Sequence, residues 1–274
     1  MKPTISLIIR NAVIVAMLAV TLFPLLWIFL TALKLPRDIM TTALMFTPVI
    51  RNFQRLFQMA EFLSYFRNSI VVASASTITG LAIAVLASYA VTRFSLPLKL
   101  DSVILSFLLF TRMIFPMALA IPFYRLARVM GIHDTVWAVF LVQTSINIPF
   151  GVWMLRAAFL DFPISIEESA MIDGASIPTI LTRIAIPMIK PAIAAAAIFM
   201  FMLSWNDYLF AVTLSATPRA ATIPVGLARF VQENIVRWEM MSAGATVFIL
   251  PVFAVAYAVQ NRLIRGFTAG TIKG

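Results

Sequence analysis

Residues 167–187 read EESAMIDGASIPTILTRIAIP and form a charged interruption between two long apolar runs. The chain has only 11 Asp and Glu residues among 274. Four of them, Asp161, Glu167, Glu168 and Asp173, lie in this segment or just before it. Because charged side chains are rarely buried without a partner, this segment is expected to meet water or another protein.

The first half of the segment carries signals for one short helix. Pro163 ends the preceding element, and Ser165 stands three residues before Glu168, which is the spacing of a capping box. Gly174 can adopt the left-handed conformation that stops a helix. The pattern therefore predicts a helix followed by a glycine turn, with its acids along the solvent face.

A second helix is predicted after the turn. Ser176 can cap it, with Pro178 in its first turn. Its apolar residues follow i, i+3, i+4, i+7 spacing and form one stripe, namely Ile177, Ile180, Leu181 and Ile184. Two interpretations stay open at this point: an amphipathic loop, or a docking element for a soluble partner.

Composition places this segment in an integral membrane protein. Hydrophobic residues make up 62% of the chain, against roughly 45–50% in soluble domains. Charged residues make up 12%, and the mean hydropathy is +0.98. The net charge of +10 comes from basic residues that are scattered singly. That distribution favours membrane headgroups over nucleic acid.

Several functional classes are excluded by residue content. The chain has no Cys and one His, so disulfides, a Cys nucleophile and any site that needs two His ligands are excluded. It also has no GxxxxGK[ST] motif for binding a nucleotide. We therefore expect a non-catalytic chain that binds no cofactor itself, and a membrane enzyme finds no plausible catalytic set here.

Six apolar runs are long enough to cross ~30 Å of hydrocarbon, which takes roughly 20 residues. They predict an all-α protein with one transmembrane domain over residues 1–274 and spans at 11–33, 69–92, 102–124, 135–157, 190–213 and 243–263. The loop 158–189 follows four spans, so it shares a side with both termini. Lys and Arg number ten on each side and so do not decide the orientation by themselves, but discounting the long loops modestly favours the cytoplasm for that side.

Two features of the spans concern packing. Small residues from Ser74 to Ala84, including Gly80, and from Ala194 to Ala197 suit close helix contacts. Four prolines are predicted to break or bend spans three, four and six: Pro116, Pro122, Pro149 and Pro251.

The segment resembles the EAA loop of permease subunits of ATP-binding-cassette importers. The matching residues are Glu168, Ala170, Gly174, Ile184 and Pro187, while Ser169 replaces the usual Ala and Ile186 replaces Leu. Further stretches, including YFRNSIVVA (65–73), LSWNDYLFA (203–211) and GFTAGTIKG (266–274), resemble the maltose-type carbohydrate importers. They match the second, MalG-like permease subunit of that group.

This resemblance implies a type I importer permease fold in the bacterial or archaeal inner membrane. It implies a MalF-like second permease subunit, an extracytoplasmic sugar-binding protein and two ATPase subunits, which carry the ATP-Mg. The EAA loop is expected to act as a cytoplasmic coupling helix with Glu168, Asp173 and Gly174 at its core. The role of Glu168 stays open between helix cap and ATPase contact. Thr268 and Lys273 of the tail are expected to contact the ATPase pair.

Polar groups inside the spans are a second candidate site. Arg112 and Asp207 differ in depth by about 9 Å, so they can form an ion pair or line the pathway near Asn147 and Asn206. Trp205 can stack on a sugar or serve in packing.

Rival functions are an ion-coupled secondary transporter and a non-transporting scaffold subunit. A secondary transporter would usually show an internal repeat and clustered acids at the midplane, and the sequence shows neither. The substrate stays open among disaccharides, oligosaccharides, polyols and glycerol phosphate.

Overall fold

The computed structural model describes residues 3–40, 45–94, 97–231 and 236–270. Within them, side chains are described except at residues 3–6, 8, 256 and 258–270. The described chain is helical and contains no strand, although one isolated bridge joins Val231 to Val236.

Thirteen α-helices are described in these residues, together with two short 3₁₀ turns and one π-helical turn. The helices are α1 (Pro3–Ala32), α2 (Arg51–Gln58), α3 (Ala60–Arg93), α4 (Leu100–Met113), α5 (Pro116–Val129), α6 (Val136–Asp161), α7 (Ile164–Ile172), α8 (Ile177–Ile180), α9 (Ile186–Met188), α10 (Lys190–Trp205), α11 (Leu209–Leu214), α12 (Ile223–Ala228) and α13 (Trp238–Gly270).

Between four and six spans are consistent with these helices. Four are long and apolar enough to cross a membrane unbroken: Ile9–Ala32, Ala60–Arg93, Val136–Asp161 and Trp238–Val255. Two further pairs qualify if each counts as one bent span, namely Pro97–Met113 with Pro116–Val129 and Ile177–Met188 with Lys190–Trp205. The predicted all-α membrane class is confirmed.

Span three is broken rather than straight. α4 and α5 meet at an angle of 102° across Ile114 and Phe115, immediately before Pro116. Proline has no N–H for the preceding turn, so the predicted break at Pro116 is confirmed. Pro122, Pro149 and Pro251 lie inside α5, α6 and α13, which continue past them.

The chain divides into two compact units, of which the first comprises 1–63 and 226–251. In this unit Asn52 closes the end of α1, because its amide nitrogen donates to the carbonyls of Ala32 and Lys34, each at 2.8 Å. The Lys34 side chain is buried, with its ammonium over the rings of Trp27 at 4.8 Å and Phe46 at 5.3 Å. The Asn52 amide therefore satisfies carbonyls at the end of α1, and cation–π contacts stabilise the buried Lys34 ammonium.

The second unit comprises 64–225 and 252–274 and contains both candidate sites. Small residues bring its helices together. A Cβ on Gly151 of α6 would lie 2.7 Å from Cβ of Ala84 on α3, and one on Gly80 would lie 2.9 Å from Cε of Met200 on α10. The predicted role of small residues in close packing is confirmed at Gly80 and Ala84.

A short loop after α5 is tied to the loop after α11. Asp134 has a φ of 60°, a conformation that Asp adopts more readily than most residues. Its carboxylate accepts from Ala216 N at 2.8 Å, Thr217 N at 2.9 Å and Thr217 Oγ1 at 2.7 Å. Its N–H donates to the Leu214 carbonyl at 3.0 Å. One side chain therefore holds two connections together.

The Asp134 contacts predict a pH-dependent stability. Partial burial acts to raise the pKa of Asp134, but hydrogen bonds from Thr217 and Ala216 outweigh it and hold the pKa below its ordinary value. The stabilisation is therefore present above the unfolded pKa of about 3.9 and is lost as pH falls through the folded pKa. We expect Asp134→Asn, which tolerates the same φ, to cost about 1 kcal/mol at neutral pH after solvent screening.

Thermal unfolding of the purified protein between neutral and acid pH measures this effect. The gap between the wild type and Asp134→Asn should narrow as pH falls. Thr217→Val, which removes one donor and leaves the carboxylate, should show a smaller gap at neutral pH. A gap that does not change with pH would contradict the assignment.

Candidate functional site

The predicted glycine stop of the EAA segment is confirmed. Gly174 has a φ of +83°, its N–H donates to the Met171 carbonyl at 3.0 Å, and Ala175 N–H donates to the Ala170 carbonyl at 2.9 Å. These two bonds define a Schellman motif after α7. A residue with a side chain at this position would cost roughly 1–2 kcal/mol in backbone strain.

The predicted capping box at the start of this helix is wrong. α7 begins at Ile164 with Pro163 as its N-cap, and no side chain caps it. Ser165 therefore lies inside the first turn, where its carbonyl accepts from Ser169 Oγ at 2.8 Å. Since the N-cap is Pro163, the N3 position of a capping box falls on Ile166, and Glu168 lies two residues beyond it.

The second helix agrees with its predicted apolar stripe over most of its length. Ile180 and Leu181 are buried and Ile184 is partly buried, but Ile177 is 45% exposed. Ser176 is the N-cap as predicted, although its hydroxyl pairs with Thr179 Oγ1 at 2.9 Å rather than with the backbone. A π-helical turn then leads through Leu181–Ala185 to α9, which contains Pro187.

The stripe packs on a core shared with α3 and α6. Leu181 and Ala185 belong to one buried cluster with Val85, Tyr89 and Phe159. Ile184 and Ile186 pack against the same cluster. The part of the EAA segment from α8 to α9, which we call the return limb, therefore belongs to the helix core rather than to a loose loop.

A buried ion pair fixes the first helix to the end of α3. Arg93 Nε lies 2.7 Å from Glu167 Oε1, with the two side chains only 9% and 1% exposed. Tyr89 OH donates to Glu167 Oε2 at 2.9 Å, and Arg93 Nη2 donates to the Phe162 carbonyl at 2.8 Å. Both carboxylate oxygens thus have donors, which is the condition for an ion pair to be retained at such depth.

The sequence analysis did not single out Arg93, and its prediction that Glu167 lies on the solvent face with the other acids is wrong, because Glu167 is buried. The two are 74 residues apart, so no local spacing connects them. A weak signal exists, because Tyr89 and Arg93 are four residues apart and share one face of a helix. A Tyr and an Arg on one helix face indicate an anionic partner without telling which acid it is.

Glu168 differs from Glu167 both in burial and in partners. It is exposed, and no hydrogen bond or ion pair involves its carboxylate within the described part of the chain. The alternative that Glu168 caps the helix is therefore wrong. The alternative that it contacts the ATPase stays a prediction. Asp173 is also exposed, at the C-cap of α7.

The neighbouring acids give a matched pair of variants. Glu167→Ala leaves a buried Arg93 without its counter-ion, so we expect a loss of roughly 3–5 kcal/mol in the free energy of unfolding. Glu168→Ala removes an exposed charge on the same helix, so its effect should stay within about 0.5 kcal/mol. Thermal or denaturant unfolding of the purified chain measures both. Equal losses in the two variants would contradict the assignment.

A cavity of about 660 Å³ lies among α4, α5, α6, α10 and α11. Three of the predicted intramembrane residues line it, namely Arg112, Asn147 and Asp207. Asn147 is 1% exposed, and its amide donates to Ser204 Oγ at 2.8 Å. Ser204 Oγ in turn lies 2.9 Å from Ser76 Oγ. A chain of buried polar groups therefore backs the cavity.

Arg112 and Asp207 do not form the ion pair that was one of the two alternatives. Asp207 accepts from Gln143 Nε2 at 3.1 Å and from Ala211 N at 3.0 Å, and so caps the break before α11. Arg112 instead places its guanidinium 5.7 Å from the ring centroid of Phe150. Gln143 and backbone N–H groups donate to the Asp207 carboxylate, so it has partners without the arginine.

Trp205 and Asn206 do not line the cavity. Trp205 is 1% exposed, stacks on Phe201 at 5.6 Å and meets Phe66 edge-on at 6.4 Å. Its burial favours the packing alternative over sugar stacking. Asn206 is exposed, and its amide donates to the Met202 carbonyl at 2.9 Å. The Thr268 side chain and Lys273 lie outside the described residues.

The fold and these sites define a class, the membrane-spanning permease subunits of binding-protein-dependent importers. Residues 80–268 match the family described as "Binding-protein-dependent transport system inner membrane component", and the chain belongs to this family. It is therefore a non-catalytic, multi-pass component of the inner membrane. No group of three or more potential metal ligands occurs in the part of the chain that the structure describes.

Individual relatives match along nearly the whole chain. The sulfoquinovosyl glycerol transport system permease protein SmoH of Agrobacterium fabrum is 30% identical, over 92% of this chain and 89% of that protein. The trehalose/maltose transport system permease protein MalG of Thermococcus litoralis is 29% identical, over 98% and 96% respectively. A bacterial transporter that imports the acidic polysaccharide alginate has a chain of similar fold, with a TM-score of 0.79, 21% identity and coverage of 95% and 98%.

Proposed function

We propose that this chain is one half of the pathway of an ATP-driven carbohydrate importer, and that α7 and α8 couple the ATPase to it. The observation that carries the proposal is the difference in burial and pairing between two adjacent acids. Glu167 is buried and paired with Arg93, whereas Glu168 is exposed on a helix that the pair holds in place. A helix that is fixed to its neighbours on one side and exposed on the other suits docking to a partner.

The outer face of α7 has the composition of a protein interface. Ile166, Met171 and Ile172 are exposed by 39%, 48% and 86%, and the exposed acids Glu168 and Asp173 flank them. Exposed apolar side chains rimmed by charge on one short helix mark an interaction site more often than a solvated loop. We assign this face to a cleft in a cytoplasmic ATPase subunit.

The contacts that hold α7 in place also connect the EAA segment to the membrane helices. The Arg93–Glu167 pair joins α7 to α3, and the buried residues of the return limb join the segment to α6. Coupling requires an element whose position is biased by both sites. Movement of the ATPase would therefore be transmitted to two membrane helices at once.

The remaining partners follow from the family and from the resemblance. We propose a second, MalF-like permease subunit, two ATPase subunits that hold ATP-Mg, and an extracytoplasmic sugar-binding protein. Residues 158–189 and both termini would then be cytoplasmic. Carbohydrate is the proposed substrate class because SmoH, MalG and the alginate transporter all carry carbohydrates or glycosides by their descriptions.

Docking on the ATPase predicts a sharp effect at Ile172. Ile172→Glu places a charge in the proposed interface without a folding cost, because the side chain is 86% exposed. We expect it to abolish most co-purification of the ATPase subunits with the membrane subunits. Val129→Glu changes a residue that is 87% exposed at the end of α5, outside the EAA segment, and should retain the ATPase. Equal retention in both variants would contradict the proposed docking face.

The charge of Glu168 predicts a second effect. Glu168→Gln keeps the size of the side chain and removes its charge, so the thermal stability should be unchanged. We expect ATP-driven sugar uptake by the reconstituted importer to fall about tenfold, the effect of losing one charge-assisted contact. Uptake at the wild-type rate would refute the contact role. Uptake that persists without the ATPase subunits would favour an ion-coupled transporter instead.

A further inference from the structure

Gln143 of α6 lines the cavity and carries a buried, unsatisfied acceptor. The side chain is 3% exposed, and its Nε2 donates to Asp207 Oδ2 at 3.1 Å. A carboxylate can only accept, so the amide nitrogen must face Asp207 and Oε1 must face away from it. Oε1 is buried and has no hydrogen-bond partner among the described residues. A buried carbonyl oxygen in this position favours a ligand that donates to it.

Asp207 offers a second acceptor next to the first. Its Oδ2 accepts from Gln143 Nε2 and from Ala211 N at 3.0 Å. Its Oδ1 receives only a long contact from Phe210 N at 3.4 Å. Each carboxylate oxygen can accept more than one hydrogen bond, so Oδ1 has capacity left for a ligand. The hydrogen bond between the two side chains keeps the free acceptors close together.

The rest of the cavity limits what can bind there. Its volume of about 660 Å³ lies within the range of roughly 300–1,000 Å³ for small-molecule sites. Phe107, Phe123 and Phe210 supply apolar walls, and the exposed Arg112 also lines it. The arginine disfavours a cationic ligand and the aspartate an anionic one. A neutral ring with hydroxyl donors and an apolar C–H face satisfies all of these groups.

We infer that this cavity binds one sugar unit of the transported solute, with Gln143 Oε1 and Asp207 Oδ1 accepting hydrogen bonds from two of its hydroxyl groups. The inference rests on the proposed function and adds that this chain itself contacts the substrate. Arg112, held over Phe150, would contribute donors to the oxygens of the bound sugar.

A single introduced cysteine can report on the cavity, because the chain has none of its own. Ser145 lines the cavity and is exposed, so Ser145→Cys provides the reporter. Asn206→Cys is the matched control, since Asn206 is exposed but does not line the cavity. The assembled importer, with cysteine-free partner subunits, is placed in phospholipid nanodiscs. Alkyl glycoside detergents are avoided because their headgroup is itself a sugar.

The measurement is the rate at which a charged methanethiosulfonate reagent modifies each cysteine. Trehalose, maltose, sulfoquinovosyl glycerol and an alginate oligosaccharide are first tested for uptake by the wild-type importer, and the transported sugar is the probe. We expect the probe to slow modification of Ser145→Cys several-fold and to leave Asn206→Cys unchanged. Unchanged modification of Ser145→Cys by a sugar that is transported would overturn the inference and leave the proposed function standing. Uptake of none of the four would count against the proposed function itself.

A second variant tests the acceptor directly. Gln143→Met, introduced into the Ser145→Cys importer, removes Oε1 and should raise the probe concentration needed for half-maximal protection about tenfold. Ser76→Ala is the structural control, because Ser76 bonds to Ser204 but does not line the cavity. It should leave that concentration unchanged. An equal shift in both variants would assign Gln143 a packing role and overturn the binding role. If Gln143→Met does not assemble, the reporter alone decides the inference.

Discussion

The second unit depends on one buried ion pair, between Arg93 at the end of α3 and Glu167 on α7. Burying two charges is costly, and the cost is offset only when every charged atom has a partner at short range. Tyr89 and the Phe162 carbonyl complete that requirement on the two sides of the pair. The end of α6, the beginning of α7 and the end of α3 are therefore fixed by a single polar cluster. The shape of the EAA segment follows from this constraint.

The polar groups of the cavity illustrate the same rule with a different outcome. Ser76, Ser204 and Asn147 satisfy one another across three helices, so they contribute to specific packing. Gln143 and Asp207 also bond to each other, yet Gln143 Oε1 has no partner among the described residues and Asp207 Oδ1 receives only one long hydrogen bond. A saturated polar group at membrane depth serves the fold, whereas an unsaturated one points to a ligand. This contrast separates the two sets although they are only one helical turn apart on α6.

Features set by local chemistry could be predicted from the sequence. The glycine stop at Gly174, the break before Pro116 and the close packing at Gly80 each depend on what one backbone position permits. Features set by long-range contacts could not. The capping box failed because α7 begins at Ile164, two residues earlier than a helix capped by Ser165 would begin. The Arg93–Glu167 pair joins residues 74 apart, and the burial of Trp205 is decided by Phe66 and Phe201 together.

The two-residue link between α6 and α7 determines which side chains of α7 point inward. Successive residues on an α-helix are about 100° apart, which is why Glu167 points inward while Glu168 points outward. Deleting one residue at Phe162 or Pro163 would turn the whole helix by that angle, so that Glu168 would point inward and Glu167 would not. The composition of the proposed docking face can therefore change residue by residue. The length of this link cannot change without turning α7. The sequence here can therefore vary by substitution but not by insertion or deletion.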